Sequence, residues 1–216
     1  MMPDIFTIPL FPLNTVLFPG AKMPLQIFEE RYLAMLRDCL TANSKFGIVL
    51  IKEGTEVGDP AIPYTVGTIA KIISSQEVSK NRMLISVMGE RRFKIKKILR
   101  NHPYISAEID IESANKKELI TQEEIERFYA RTTRHINLVL HKNEEWIKTP
   151  KFPTSPKMLS YFIAQTLDLD LFERQKLLSE PSYLKQLEIC KKHMDRESDE
   201  LIEKISLEMI NGFRHH

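Results

Sequence analysis

Two acids, a base and a phenol stand side by side at Glu29, Glu30, Arg31 and Tyr32, inside the segment FPGAKMPLQIFEERY at 18–32. Side chains of these types act as general acids and bases when a fold holds them together. Helical spacing, at about 100° per residue, predicts that Glu30 and Arg31 face solvent and that Glu29 lies on the apolar side. A carboxylate there needs a partner, because burying it alone costs several kcal/mol.

Glu29 is therefore interpreted as a structural residue near the start of a helix predicted over 28–41. We expect its carboxylate to accept from backbone amides, which favour negative charge at a helix N-terminus. An arginine such as Arg91 or Arg92 is the other expected partner. A catalytic role for Glu29 is the alternative.

The motifs of the common enzyme classes are missing from the sequence. No glycine precedes Lys-Ser or Lys-Thr as in a phosphate loop, and GxGxxG, HExxH, GxSxG and CxxC are absent. His135 and His141 are six residues apart, which places them on nearly opposite sides of a helix. We therefore expect no enzyme activity, no metal site and no cofactor, with a hydrolase lacking a known motif as a rival.

Charge and cysteine content restrict the class of protein. Basic residues number 31 against 29 acidic ones, and this net charge of +2 gives no global reason to expect nucleic acid. The first residues lack a basic leader, and no apolar run approaches the ~18 residues that suggest a membrane span. With Cys39 and Cys190 far apart in the chain, a cytoplasmic protein with reduced, packed cysteines is expected.

The first half of the sequence reads as strands punctuated by turn residues, with the helix at 28–41 interrupting them. The strand candidates are TIPLF, TVLFP, FGIVLIK, VGTIAKII, RMLISVMG, RRFKIKKIL and YISAEIDIE. Many short strands with glycine and proline turns favour a small barrel or sandwich over a doubly wound sheet. The predicted domain is 1–115, and the segment 112–118 is its boundary.

Helical spacing replaces strand alternation after residue 117. The predicted helices begin at Thr121, at Ser155-Pro156, at Asp170 and at Pro181-Ser182, and end near 142, 168, 179 and 210. We place all four in a helical domain over 116–216, so the fold class is α+β. The charged middle of the last helix, DRESDE, is expected to project into water or to meet a partner.

The segment GERRFKIKKILR at 89–100 is the one basic patch of the sequence. Strand alternation places Arg92, Lys94 and Lys96 on one face. That face is either an ordinary wet surface or a stripe that tracks the phosphates of RNA. Because the apolar neighbours alternate inward and leave no aromatic stacking platform, the ordinary surface is favoured.

The segment IPLFPLNTVLFPGAKMPLQIFEERYLAML resembles the start of the N-terminal, substrate-binding domain of Lon proteases. The resemblance continues through FGIVLI, VGTIAKI, Gly89 with Arg92-Phe93, Pro103-Tyr104 and QKLL at 175–178. It departs at Gln26 and Glu30, where the family usually has His and Pro. It implies a PUA-like β-barrel with one inserted helix, followed by a C-terminal helical bundle that ends in a long helix.

The resemblance also implies a non-catalytic module that recognises unfolded or degron-bearing polypeptides, as an adaptor or holdase that needs no ATP. Because 216 residues leave no room for the ATPase and peptidase of full-length Lon, a free-standing member is expected. A protease or a chaperone is a further candidate partner, and the last helix is a candidate for pairing between copies. An RNA-binding PUA-like module that uses the basic strand at 91–100 is the alternative, whereas a membrane partner is not expected.

The segment PLFPLNTVLFPG concentrates aromatic residues and prolines that cannot all belong to regular sheet, since proline cannot donate to a ladder. Most of these side chains are expected in the core, and the alternative is an apolar groove for a peptide. The residues assigned to peptide binding are Phe11, Pro12, Phe18, Pro19, Arg31, Tyr32 and Met35. Arg31 and Arg37 would orient the peptide from the rim.

Overall fold

The strand-rich half and the helix-rich half of the sequence form six β-strands and five α-helices in a computed structural model. The structure describes residues 6–42, 44–58, 61–99, 103–112, 118–142 and 151–213. The strands are β1 Phe6–Leu13, β2 Lys22–Ile27, β3 Phe46–Glu53, β4 Ile62–Ser79, β5 Arg82–Leu99 and β6 Ser106–Ile111. The helices are α1 Glu30–Thr41, α2 Gln122–Lys142, α3 Pro156–Thr166, α4 Leu171–Ser179 and α5 Tyr183–Phe213.

Strand pairing closes a barrel. β1 runs parallel to β3 and antiparallel to β6, β4 lies between β3 and β5, and β5 also pairs with β6. The ring β1–β3–β4–β5–β6 therefore returns to β1, which removes the free strand edges of an open sheet. β2 pairs with the first part of β5, outside this ring. The predicted α+β class, with a barrel and one inserted helix, is confirmed.

Three of the strand candidates differ from the structure. Residues 15–19, predicted as the strand TVLFP, form no strand and instead connect β1 to β2. RMLISVMG and RRFKIKKIL form one continuous strand, β5, with a register shift beside Gly89. Gly89 donates to the backbone oxygen of Ala21 at 2.9 Å and accepts from Gly20 at 2.8 Å, so a bulge accommodates the connecting segment without breaking the strand.

The barrel core contains the ring of Phe93 where two glycines make room for it. A Cβ atom added to Gly47 would lie 2.6 Å from Cζ of Phe93, and one added to Gly67 would lie 2.8 Å from the same atom. Real Cβ atoms do not approach other atoms so closely, so any larger residue at either glycine would displace the ring. The glycines of FGIVLIK and VGTIAKII are thus packing residues.

The chain divides into two compact units, Met1–Lys116 with Asp170–Ser179, and Lys117–Leu169 with Glu180–His216. Helix α4 groups with the barrel, whereas the sequence placed it with the helical domain. Gln175 Nε2 of α4 donates to the backbone oxygen of Val66 in β4 at 3.0 Å. The predicted boundary at 115–116 lies in 113–117, outside the described residues, and remains a prediction.

In the second unit α3 and α5 pack with α2. Thr121 and Glu124 form the predicted capping box at the start of α2, since Thr121 N–H donates to the Glu124 carboxylate at 2.9 Å and Glu124 N–H donates to Thr121 Oγ1 at 3.2 Å. These hydrogen bonds lower the pKa of Glu124. The DRESDE segment does not simply project into water, because Asp195 forms an ion pair with Arg131 of α2.

Candidate functional site

The six apolar residues assigned to peptide binding lie in the core. Phe18 and Met35 are at most 1% exposed, and Phe11 and Tyr32 are 5% exposed with ring centroids 4.3 Å apart. Pro12 and Pro19 are buried as well. Their side chains contact the protein itself, so in this structure a bound polypeptide would not reach them.

Arg31, the seventh residue assigned to peptide binding, is partly exposed. It is also the partner of Glu29. Its Nη2 lies 2.9 Å from Glu29 Oε2 and donates to the backbone oxygen of Glu56 at 3.1 Å. The guanidinium lies 4.6 Å above the ring of Tyr32. The expected arginine partner of Glu29 is thus present, but it is Arg31 and not Arg91 or Arg92.

The local backbone explains this pairing. Glu29 is the N-cap residue of α1, with φ −77° and ψ 133°, and its side chain makes no capping hydrogen bond. The extended conformation takes Glu29 out of the helical periodicity used to place it, and its carboxylate meets the arginine two residues ahead. Glu29 and Arg31 of FEERY thus connect the start of α1 to the β3–β4 loop through the Glu56 carbonyl, whereas Glu30 is exposed.

A cleft of about 640 Å³ lies on the outer face of α1. The helix contributes Glu30, Arg31, Leu33, Ala34 and Arg37, the β4–β5 turn contributes Lys80 and Asn81, and Pro103 completes the lining. The cleft thus has three cationic side chains and one carboxylate. The sequence identified Arg31 and Arg37 as rim residues but not Lys80 and Asn81. The sequence of a hairpin turn does not indicate which other segment the turn lies against in the folded protein.

A hydrogen bond between Tyr104 and Asp38 holds the Pro103 side of the cleft against α1. Tyr104 Oη donates to Asp38 Oδ2 at 2.7 Å. This bond, helped by burial and by the negative charge of Asp38, raises the pKa of Tyr104 to about 12. The phenol is therefore protonated throughout the physiological range and acts as a fixed donor.

Two large apolar side chains are exposed beside the start of α1. Phe28 is 52% exposed and immediately precedes Glu29, while Val57 is 56% exposed and immediately follows Glu56, the acceptor of Arg31. Sequence reasoning missed both as candidates for binding. Phe28 lies before the first helical residue, so helical periodicity does not describe its direction, and Val57 precedes Gly58, a turn residue with φ of +100°.

The proposed basic stripe is not a continuous exposed surface. Arg92 is 7% exposed, donates to the backbone oxygen of Leu178 in α4 at 2.7 Å, and forms an ion pair with Glu112. Lys96 pairs with Asp110 at 3.1 Å, and Lys94 is exposed. Alternation alone predicted three exposed cations, but α4 covers the face at Arg92 and gives it the contacts of a structural residue.

Ser198, His135 and Glu197 are the residue types of a hydrolase triad and lie together in the second unit. His135 Nδ1 is 3.4 Å from Ser198 Oγ, and His135 Nε2 is 3.2 Å from Glu197 Oε2. The imidazole is fully buried between α2 and α5, however, and no part of it is accessible to a substrate. The arrangement therefore reads as a packed polar contact.

The remaining candidates for chemistry are the two cysteine thiols and any group of metal-binding side chains. Burial raises the pKa of both cysteine thiols, that of Cys190 to about 12, so neither is a thiolate near neutral pH. Within the described ranges, no three His, Cys, Asp or Glu side chains are grouped as a metal site requires. Among the helices of those same ranges, none combines the length and the apolar character needed to cross a bilayer.

Comparison with known proteins identifies the family. A family model described as the ATP-dependent protease La (LON) substrate-binding domain matches residues 7–196. The chain belongs to the Lon substrate-binding domain family. The resemblance read from the segment at 8–36 is thereby confirmed.

The relatives are much longer than this chain. It is 27% identical over 183 residues to the Lon protease of Anaeromyxobacter dehalogenans, a match that covers 79% of this chain and 21% of that protein. It is 24% identical over 208 residues to the Lon protease of Dictyoglomus thermophilum, covering 94% and 26% respectively. The matched segments span only about a fifth to a quarter of these relatives.

Solved structures of the family share the fold. A crystal structure of a Lon N-terminal domain protein from Xanthomonas campestris superposes with a TM-score of 0.65 at 26% identity, covering 85% of this chain and 96% of that one. The N-terminal domain of the Mycobacterium avium complex Lon protease gives 0.59 at 18% identity, covering 88% and 98%, and supports the fold alone. The Lon-family motif at 8–36 covers most of β1, the connection to β2, β2 itself and the first part of α1, so its residues mainly build the junction of helix and barrel.

Proposed function

We propose that this Lon-family domain binds unfolded or degron-bearing polypeptides in the cytoplasm as a non-catalytic adaptor or holdase. The observation that carries the proposal is the match of residues 7–196 to a substrate-binding domain. That domain recognises substrate, and the match includes neither an ATPase nor a peptidase. The buried Ser198–His135–Glu197 contact and the protonated thiols agree with a module that captures a chain without cleaving it.

The capture surface is the region around the start of α1. Phe28 and Val57 are each more than half exposed, and covering them with apolar segments of an unfolded chain removes apolar area from water. Folded proteins offer few such segments on their surfaces, so this binding selects unfolded chains. Occupancy follows mass action and requires no covalent step. Arg31, fixed by Glu29 and the Glu56 carbonyl, lines the cleft and contacts the residue that precedes Val57.

RNA binding is the weaker candidate because its predicted stripe is interrupted. Arg92 is committed to Glu112 and to α4, and Lys96 to Asp110. A phosphate-tracking surface needs several uncommitted cations in a row. An unfolded polypeptide therefore fits the described surface better than RNA does. RNA binding is tested in the same experiment.

The test is fluorescence anisotropy with a labelled, permanently unfolded protein and a labelled single-stranded RNA, each at low and high salt. We expect the unfolded protein to bind at both salt concentrations. The double substitution Phe28→Ser with Val57→Ser should weaken this binding about tenfold, which corresponds to the burial of two half-exposed apolar side chains. The same double variant should also be less able to suppress the aggregation of an unfolded protein.

The matched control is Ile73→Ser with Val78→Ser, which replaces two apolar residues of similar exposure in the second half of β4. This variant should bind as the unaltered protein does. Equal losses in both variants would show that exposed apolar area acts without a defined site. Binding of RNA alone, lost at high salt, would overturn the proposal.

A further inference from the structure

The cleft on α1 has a charge composition that the capture of apolar segments does not explain. Arg31, Arg37 and Lys80 line it together with the single carboxylate of Glu30. Glu29 neutralises Arg31 at 2.9 Å. Arg37 and Lys80 are both exposed, and neither has an ion-pair partner within the part of the chain that the structure describes.

The walls of the cleft bring cationic side chains together from two elements of the fold. Helix α1 carries Arg37 and the β4–β5 turn carries Lys80 and the amide of Asn81, so donors come from two separate walls. The Tyr104–Asp38 hydrogen bond keeps the third wall at Pro103 in place. A carboxylate held between a guanidinium and an ammonium accepts charge-assisted hydrogen bonds from both.

Arg31 is already engaged at the edge of this cleft. Its Nη2 is occupied by Glu29 and the Glu56 carbonyl, whereas its buried Nε has no acceptor among the described residues. Because Nε is buried, a ligand in the cleft does not reach it, and Arg37 and Lys80 are the cations of the lining that are left to bind an anion.

We infer that this cleft binds a carboxylate of the captured polypeptide, so that the domain selects apolar segments that lie next to acidic residues or end in a free C-terminus. The inference rests on the proposed function, because the carboxylate belongs to the same chain whose apolar part covers Phe28 and Val57. A nucleic-acid backbone fits less well, since the cations form one local group and Glu30 opposes a ligand with several phosphates.

The test uses an unstructured, fluorescein-labelled peptide with an apolar centre flanked by aspartates, and the same peptide with asparagines instead. Each is made with a free and with an amidated C-terminus. We expect the aspartate peptide to bind about fivefold more tightly at low salt, the size expected for two exposed ion pairs. If the C-terminus is the ligand, amidation removes the preference and the aspartates do not matter.

Two variants locate the effect. Arg37→Gln with Lys80→Gln should abolish the preference for carboxylates and leave the affinity for the asparagine, amidated peptide unchanged. The control pair Lys71→Gln with Lys94→Gln removes two exposed lysines elsewhere on the barrel and should keep the preference.

The outcomes separate this inference from the proposed function. If all four peptides bind equally well, the carboxylate site is overturned while polypeptide capture stands. If none binds, both are overturned. A preference that survives Arg37→Gln with Lys80→Gln, or that disappears in the control pair, would also refute the assignment of the site.

Discussion

Tyr104 donates a 2.7 Å hydrogen bond to Asp38, joining the segment before β6 to the exposed face of α1. The two residues are far apart in the sequence, yet the bond places Pro103 at the edge of the cleft next to Arg37. It also connects the pKa of a tyrosine to the geometry of the candidate site. That connection makes the site accessible to a spectroscopic measurement.

Replacing Asp38 with Asn should lower the pKa of Tyr104 from about 12 towards its ordinary value of 10.0, because the charged acceptor that favours the protonated phenol is removed. Since the folded-state pKa is raised, the phenol stabilises the fold below pH 10.0, and that contribution is lost as the pH rises through about 12. NMR of ring-labelled tyrosine measures the titration, and Tyr104→Phe assigns the signal. An unchanged Tyr104 titration in Asp38→Asn would show that the pair does not form in solution.

Removing the buried cation Arg92 should be strongly destabilising. Arg92→Met removes the hydrogen bonds that Arg92 donates to the Glu112 carboxylate and the Leu178 carbonyl, and breaking a buried ion pair costs about 3 kcal/mol of unfolding free energy. Urea denaturation measures it. Lys96→Ala, which breaks the exposed pair with Asp110, is the control and should cost at most about 0.5 kcal/mol. Similar small losses in both variants would argue against the placement of α4 on the barrel.

The glycines around Phe93 can be tested by a rescue. Gly47→Ala should cost about 1–3 kcal/mol, because its Cβ would lie 2.6 Å from Phe93 Cζ. Phe93→Leu should recover about 1 kcal/mol of that loss in the double variant, since the two sites are in contact. Gly67→Ala should be rescued much less, because its Cβ also meets the backbone oxygen of Ile48 at 2.5 Å. Thermal denaturation of all the variants gives the coupling, and purely additive losses at both glycines would contradict this packing.

Glu29→Gln should lower the thermal stability by a small amount. The substitution removes the charge that faces Arg31 at 2.9 Å, and this pair is partly shielded from solvent. We expect about 0.5–1 kcal/mol. Arg31→Gln provides the comparison, and the double variant should lose less than the sum of the single ones. If Glu29→Gln is as stable as the parent, the residue has no structural role and a role in binding has to be sought.

Local chemistry accounts for the parts of the fold that were predictable. Asp170 lies where a helix begins because its carboxylate accepts from the Glu173 backbone N–H at 2.7 Å, a contact within one turn. The alternation of apolar and polar residues in ISAEIDIE predicted β6, because a strand with one buried face can be recognised from residues that are adjacent in the chain. The motif at 8–36 identified the family from residues that are close together in the chain.

The location of the candidate site was not predictable in the same way. Phe18 and Phe28 are the same residue type ten positions apart, yet one is 1% and the other 52% exposed. Composition cannot separate them, because burial depends on what the rest of the chain covers. The cleft has the same origin, since Arg37, Lys80 and Pro103 meet only after the barrel has closed.

The sequence by itself thus determined the strands and helices that local hydrogen bonding and periodicity produce, the α+β class and the Lon family. Only the tertiary structure decided that α4 belongs with the barrel, that Arg92 is a buried structural cation, and that Phe28 and Val57 face solvent. The physical reason is the distance along the chain over which each interaction acts. Periodicity and capping act over a few residues, whereas burial and charge pairing depend on segments that are far apart in the chain and meet only in the folded protein.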